Sequence, residues 1–265
     1  MLHLLYLHTV NLFTLSTFAL FLFLLVVIVA AIGAGLLAGR WMNRKSHEHR
    51  ESVGVVQGAL LGLVGLMLAF GLSMAVNRYD GRRELVVAEA NDIGTTYLRA
   101  QMLDEPQRTE SLTLLRDYTD AAIELARVVP GSRDFREART AMESLHDDLW
   151  AAADDAVHTD PEGTVPRLYI ESLNDVIDVH AERVASLSNR VPDTVMWLLV
   201  LGSAIAVGFV AYYVALIGTR VRASLVALGL VVLILFVTFD LDRPERGFIK
   251  VPAAPLVDLR ATMQG

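Results

Sequence analysis

Four stretches of the chain carry no charged side chain, and their placement sets the architecture. The first charged residue is Arg40, so 39 uncharged residues open the sequence. Three further runs follow, from Val53 to Val76, from Thr194 to Thr219 and from Ala223 to Phe239. A helix needs about 20 apolar residues to cross a bilayer, so the first three are long enough and the fourth sits at the lower limit. The expected fold is an all-α integral membrane protein with four transmembrane helices. A cleaved leader would carry Lys or Arg ahead of a shorter apolar core. The opening MLHLLYLHTVNLFTLST does not. The first segment is therefore read as a retained helix from near Leu15, with residues 1–14 at the interface. Residues 15–76 then hold spans one and two with a basic loop at 40–52, and residues 193–240 hold spans three and four.

Between the second and third spans the periodicity changes. Phe135, Ala138, Met142, Leu145, Leu149, Ala152 and Ala156 alternate steps of three and four, the seam of a packed helix. Ile170, Leu173, Ile177, His180, Val184, Leu187 and Val191 repeat the pattern, and Leu112, Leu115, Tyr118, Ala122, Leu125 and Val129 form a third stripe. Gly131 and Ser132 mark a stop and a restart, and Pro106 and Pro166 sit where first-turn prolines belong. Nothing interrupts the second span before about Leu103, and the last polar helix runs toward Pro192 and the third span. Residues 77–192 thus read as an extramembrane helical bundle formed largely by extensions of spans two and three, followed after the fourth span by a tail at 241–265.

Composition sharpens this picture. Apolar residues make up 54% of the chain and mean hydropathy is +0.44. Net charge is −7, and cysteine is absent, which excludes disulfides and thiolate metal sites. The segment from Asn77 to Asp193 holds 13 Arg against 24 Asp plus Glu, a net of −11. That acidity opposes a nucleic-acid partner. Arg40, Arg44, Lys45, Arg50, Arg220 and Arg222 fall in the two loops that share a membrane side, so the positive-inside rule puts those loops in the cytoplasm and the helical domain and termini outside.

Charge also marks the membrane exit. Arg78, Arg82 and Arg83 leave span two at the same face as Asp240, Asp242, Arg243 and Arg246 after span four. A carboxylate at that boundary needs a partner. The leading expectation is a clamp in which Asp240 or Asp242 pairs with one of the span-two arginines; the other is a cationic ring at a pore mouth. Asp-x-Asp alone is a weak cation signal beside so many arginines. Along span two, Gly58, Gly62, Gly65, Ala69 and Ser73 share one face, expected to serve helix packing, and Leu60, Val64, Met67 and Met74 lie opposite as candidate pore lining. Ala31, Gly35 and Gly39 in span one recur every four residues, again a packing signal. His180, alone in an apolar seam, reads first as a buried, hydrogen-bonded histidine and second as a pH-responsive group. The acidic face Glu171, Asp175, Asp178 and Glu182 reads as wet surface. No nucleophile–base set, phosphate loop or zinc spacing argues for an enzyme, and no cofactor or metal is expected.

The blocks RYDGRRELVVAEANDIGTTYLRAQML (Arg78–Leu103), LNDVIDVHAERV (Leu173–Val184) and DLDRPERGFIKV (Asp240–Val251) resemble the bacterial bestrophin-like domain family over nearly the whole chain. The matching positions are Arg78, Tyr79, Arg82, Arg83, Glu89, Asn91, Gly94, Asp240, Asp242, Arg243, Pro244 and Gly247, with Gly81 a departure where a charged residue is expected. The resemblance implies a four-span protein distantly like the bestrophins, pentameric anion channels whose second span lines the pore. It implies a homo-oligomer in the bilayer with an inorganic anion as substrate. It also implies a cytosolic helical part, opposite to the charge-rule orientation, which is kept here. The competing expectation is a membrane-anchored sensor or scaffold whose acidic bundle binds a ligand or protein.

Overall fold

The computed structural model describes residues 15–43, 50–217 and 222–263. Among them every regular element is a helix: α1 (Thr17–Asn43), α2 (Arg50–Ala100), α3 (Gln107–Leu125), α4 (Arg133–Thr159), α5 (Thr164–Ser186), α6 (Asp193–Ile217), α7 (Arg222–Leu241) and α8 (Ala254–Thr262). The expected interfacial segment 1–14 and the basic loop residues 44–49 lie outside the described residues. Chain contacts divide the protein into two units, residues 1–77 with 190–248, and residues 78–189 with 249–265.

The first unit contains α1, the apolar half of α2, α6 and α7. Three of its helices are long and apolar enough to cross a membrane, with spans at Thr17–Met42, from Val53 in α2, and at Asp193–Ile217, whereas the described apolar part of α7, Gly229–Leu241, is shorter. Lipid tails are as apolar as leucine, so such helices associate through close van der Waals packing at small residues. The α1 stripe does this. A Cβ on Gly35 would collide with the carbonyl oxygen of Gly208 in α6. One on Gly39 would stand 2.7 Å from the Ala215 Cβ, and one on Gly208 would stand 3.2 Å from the Ala31 carbonyl oxygen. Leu20, Leu24, Val64, Leu68, Leu199, Val200, Leu235 and Phe239 fill the core beside that crossing. Phe18, Val26, Val29, Leu37, Leu198 and Ile205 remain exposed, as an apolar solvent permits.

The second unit packs the polar half of α2 with α3, α4, α5 and α8 around Ile93, Leu115, Tyr118, Met142, Leu149, Leu173, Val176 and Leu256. Ser132 caps α4, its hydroxyl accepting from the Phe135 N–H at 3.0 Å, and Gly131 before it takes a φ of +82°, which its missing Cβ allows. α3 ends at Leu125, a turn earlier than its stripe suggests. α5 turns a different face inward. Tyr169, Ser172, Leu173, Val176, His180 and Arg183 are buried, while Ile170, Ile177 and Val184 are half-buried. The expected tail includes α8, whose Arg260 forks onto the Asp120 carboxylate at 2.9 and 3.0 Å and whose following residue Met263 offers its carbonyl to Arg116 at 3.0 Å.

The junction between α5 and α6 differs from expectation. Instead of a continuous extension the helix stops at Ser186 and restarts at Asp193. Proline disfavours helix in the residue before it, and the Pro192 carbonyl opens the next helix by accepting from the N–H groups of Val195 and Met196.

Candidate functional site

Three features gather the residues singled out in the sequence. The first is the turn after α7. Asp240, Asp242 and Arg243 are all at most 1% exposed. The Asp240 carboxylate accepts from the Phe248 N–H at 3.0 Å, and a Cβ on Gly247 would stand 2.6 Å from that carboxylate, so only glycine fits there. Both Asp242 oxygens accept from the Val191 N–H, at 3.1 and 3.0 Å, exposed by the break before α6. Arg243 donates to the Leu15 carbonyl, and the Thr17 hydroxyl donates to the Arg246 carbonyl at 2.7 Å, tying the start of α1 to the same turn. Arg190 and Arg246 lie within electrostatic reach of Arg243, as does Asp240. The two aspartates thus hold backbone amides, Asp242 that of Val191 ahead of α6 and Asp240 that of Phe248 in the turn itself. On the other unit, Arg78 donates to the Asn189 side chain at 3.0 Å, Tyr79 donates to the Lys250 carbonyl at 3.4 Å, Arg82 is buried and Arg83 is exposed.

The second feature is α2, whose two faces differ in what the chain packs on them. Val64 is buried, and Met67 and Met74 pack on the same core. At Gly202 of α6 an added Cβ would meet Met67 at 3.5 Å and Val64 at 3.8 Å. Gly71, absent from the expected packing face, lies under Leu199. Leu60 is half-buried. Gly58, Gly62, Gly65, Ala69 and Ser73 are instead exposed, and a Cβ on any of the three glycines would meet nothing within 4 Å. The reason is shape: α6 offers Gly202 as a hollow, and a large α2 side chain fills it where a second small residue would leave a void. Further along α2 the helical spacing of that exposed face continues through Asp80, Arg83, Val87, Asn91 and Leu98, all exposed.

The third feature is only partly visible in the sequence. Glu89 of α2 is 0% exposed. Its carboxylate takes a hydrogen bond from His180 Nδ1 at 2.9 Å and an ion pair with Arg183, both on α5. Arg183 also donates to the Ala122 carbonyl of α3 at 3.3 Å. His180 is 5.1 Å, centre to centre, from the ring of His146 on α4, whose Nε2 is 3.0 Å from the hydroxyl of the fully buried Tyr118 on α3. Burial, and then the Glu89 charge, push the Tyr118 phenol well above its ordinary range, so it stays protonated. Gly94, three positions past the matched Asn91, has a placement reason too, since a Cβ there would press on Leu259 of α8 at 3.2 Å. Among the described residues no group of three or more metal-ligating side chains converges.

No curated protein matches the chain in sequence. Two crystal structures of a bacterial bestrophin homologue from Klebsiella pneumoniae, one a single-substitution variant and one phased on zinc, each superpose with a TM-score of 0.62 at 14% identity, covering 89% of this chain and 97% of theirs. A further variant of that homologue covers 90% of this chain and 99% of its own, with a TM-score of 0.62 and 14% identity. These likenesses are of fold. The bestrophin-like domain family model matches residues 20–256, so the chain belongs to the bestrophin-like domain family.

Proposed function

We propose that copies of this chain assemble around an axis as a membrane channel, with the small-residue face of α2 turned toward that axis. The carrying observation is the uncovered stripe Gly58, Gly62, Gly65, Ala69 and Ser73, left open by the chain that buries the opposite side of the same helix. Lipid is a poor match for a row of glycines, because small residues gain most where backbones approach closely. In this reading α7 is the fourth span, five copies form the ring as in the bestrophins, and inorganic anions are conducted. Arg78, Arg82 and Arg83 bias the mouth toward anions. The basic loops lie in the cytoplasm, which predicts that a cysteine at Ser132 reacts with an impermeant thiol reagent on intact cells while one at Ser46 does not. The reverse labelling would invert the orientation.

The function is tested in liposomes. Wild-type protein should pass chloride, and the native chain has no cysteine to confuse a thiol assay. Ala69→Cys should be blocked by a water-soluble charged thiol reagent, whereas Val64→Cys should be indifferent to it. Block at Val64→Cys alone would restore the opposite face to the axis. Absence of flux from intact oligomers would favour the sensor or scaffold.

A further inference from the structure

The buried cluster of the helical unit is drawn from four helices, and its polar groups form one chain: Arg183 and His180 on Glu89, the His180 ring on the His146 ring, and His146 on Tyr118. Polar networks of this kind hold only while each donor faces an acceptor. Tyr118 keeps its proton, and its hydroxyl meets the ring nitrogen of His146, so a neutral His146 serves as acceptor for the phenol O–H. Protonating His146 converts that nitrogen into a donor and places a positive charge beside His180. It therefore reverses that bond, leaves the phenol O–H without its acceptor and adds one repulsion, all between α4 and its neighbours.

We propose that His146 is the proton-accepting element of an acid-sensitive latch that fastens α4 to α3 and α5. The groups facing it are Tyr118 from α3, His180 from α5 and Glu89 from α2, with Arg183 behind Glu89; on α4 itself Glu143 and Asp147 flank it and are exposed. Burial, followed by the charge of His180, lowers the His146 pKa from 6.5 to about 4, against the smaller opposing effects of Glu89, Asp147 and Glu143. A histidine whose folded pKa is depressed favours the folded state fully above its unfolded value. As pH falls below about 6.5 the unfolded chain takes up a proton that the folded chain refuses, and the latch loses stability down to about pH 4. The expected pH-responsive residue, His180, is in this arrangement the holder of Glu89 and the source of the repulsion. The latch stands independently of ion conduction.

Trp150 lies one turn along α4 from His146 and is 42% exposed, a built-in reporter. Replacing Trp41 and Trp197 with phenylalanine in the full-length protein leaves Trp150 as the only tryptophan. Its fluorescence in detergent should change in a single step as pH falls from 7 to 3.5, with a midpoint near 4. His146→Gln should abolish the step, while His158→Gln, an exposed histidine on the same helix, should leave it intact. The unfolding temperature should also drop less between pH 7 and 4.5 in His146→Gln than in the otherwise identical protein. Should the glutamine variant misfold, the histidine ring-proton resonances of wild type decide the matter, with one titrating near 4. A fluorescence step that persists in His146→Gln, parallel melting profiles, or no histidine titrating below about 5 would overturn the latch.

Discussion

The membrane unit and the helical unit solve the same packing problem with opposite materials. Around α1 and α6 the contact is made by what is missing, since Gly35, Gly39 and Gly208 bring backbone against backbone. In the helical unit the contact is made by what is added: a carboxylate, a guanidinium, two imidazoles and a phenol joined between helices of the core. The solvent accounts for the difference. In water, burying leucine and methionine drives association at about 25 cal/mol per Å² of apolar area, and a polar network can be carried on top of it. In lipid that driving force is gone, and close approach is what remains. The turn after α7, where Asp240 and Asp242 hold backbone amides, is where the membrane unit uses charge for cohesion as the helical unit does.

The sharpest way to break this contrast is at Glu89. Glu89→Ala strands Arg183 in the core, which should cost about 3–5 kcal/mol in denaturant melts. The loss should register at Trp150 and spare the signal of Trp197, whose ring packs on Phe23 in the membrane unit. The double replacement Glu89→Leu with Arg183→Met should recover most of it, because removing both partners leaves no stranded charge. Equal damage from the double variant would mean that the ion pair is more than a replaceable contact. Next is Gly35→Leu. Its side chain meets the Gly208 backbone, which cannot step aside as a side chain can, so a destabilisation of about 3 kcal/mol is expected, with Trp197 now the reporter. The smallest cost falls at the turn: Asp242→Ala frees the Val191 N–H and should cost about 2 kcal/mol, with Asp240→Ala similar through Phe248. Unchanged melting in both would remove the aspartates from the cohesion of this unit. Gly58→Leu, facing open space within the chain, should leave the fold of the monomer unchanged and act only on assembly.

These features are unevenly legible in the sequence. An uncharged apolar run of 20 or more residues points to a membrane span and to little else, so the long spans are plain. The Ala31, Gly35 and Gly39 stripe and the Gly131–Ser132 restart are plain as well, because each rests on a local rule. Span two's faces are harder. Small residues on span two read first as a packing face, and only the Gly202 hollow on α6, distant in sequence, shows that α6 receives the large side chains instead. The rotated face of α5 hides for a related reason: Arg183 reads as surface until Glu89, 94 positions earlier, is placed beside it. His180 reads as buried but without its partners. His146 escapes notice because it sits between two aspartates and a glutamate that look like solvated surface. The break before α6 is masked by Pro192, which suits a kink as well as a stop. A helix as short as α8 carries too few turns for periodicity to show.

Everything proposed about conduction depends on α2 turning its small face to an axis shared by several copies. A density map of the purified oligomer decides this. It should show a ring of α2 helices with Gly58, Gly62, Gly65 and Ala69 nearest the symmetry axis, and Val64 and Met67 turned away toward α6. A map with α2 on the lipid perimeter, or with Val64 and Met67 nearest the axis, would contradict it.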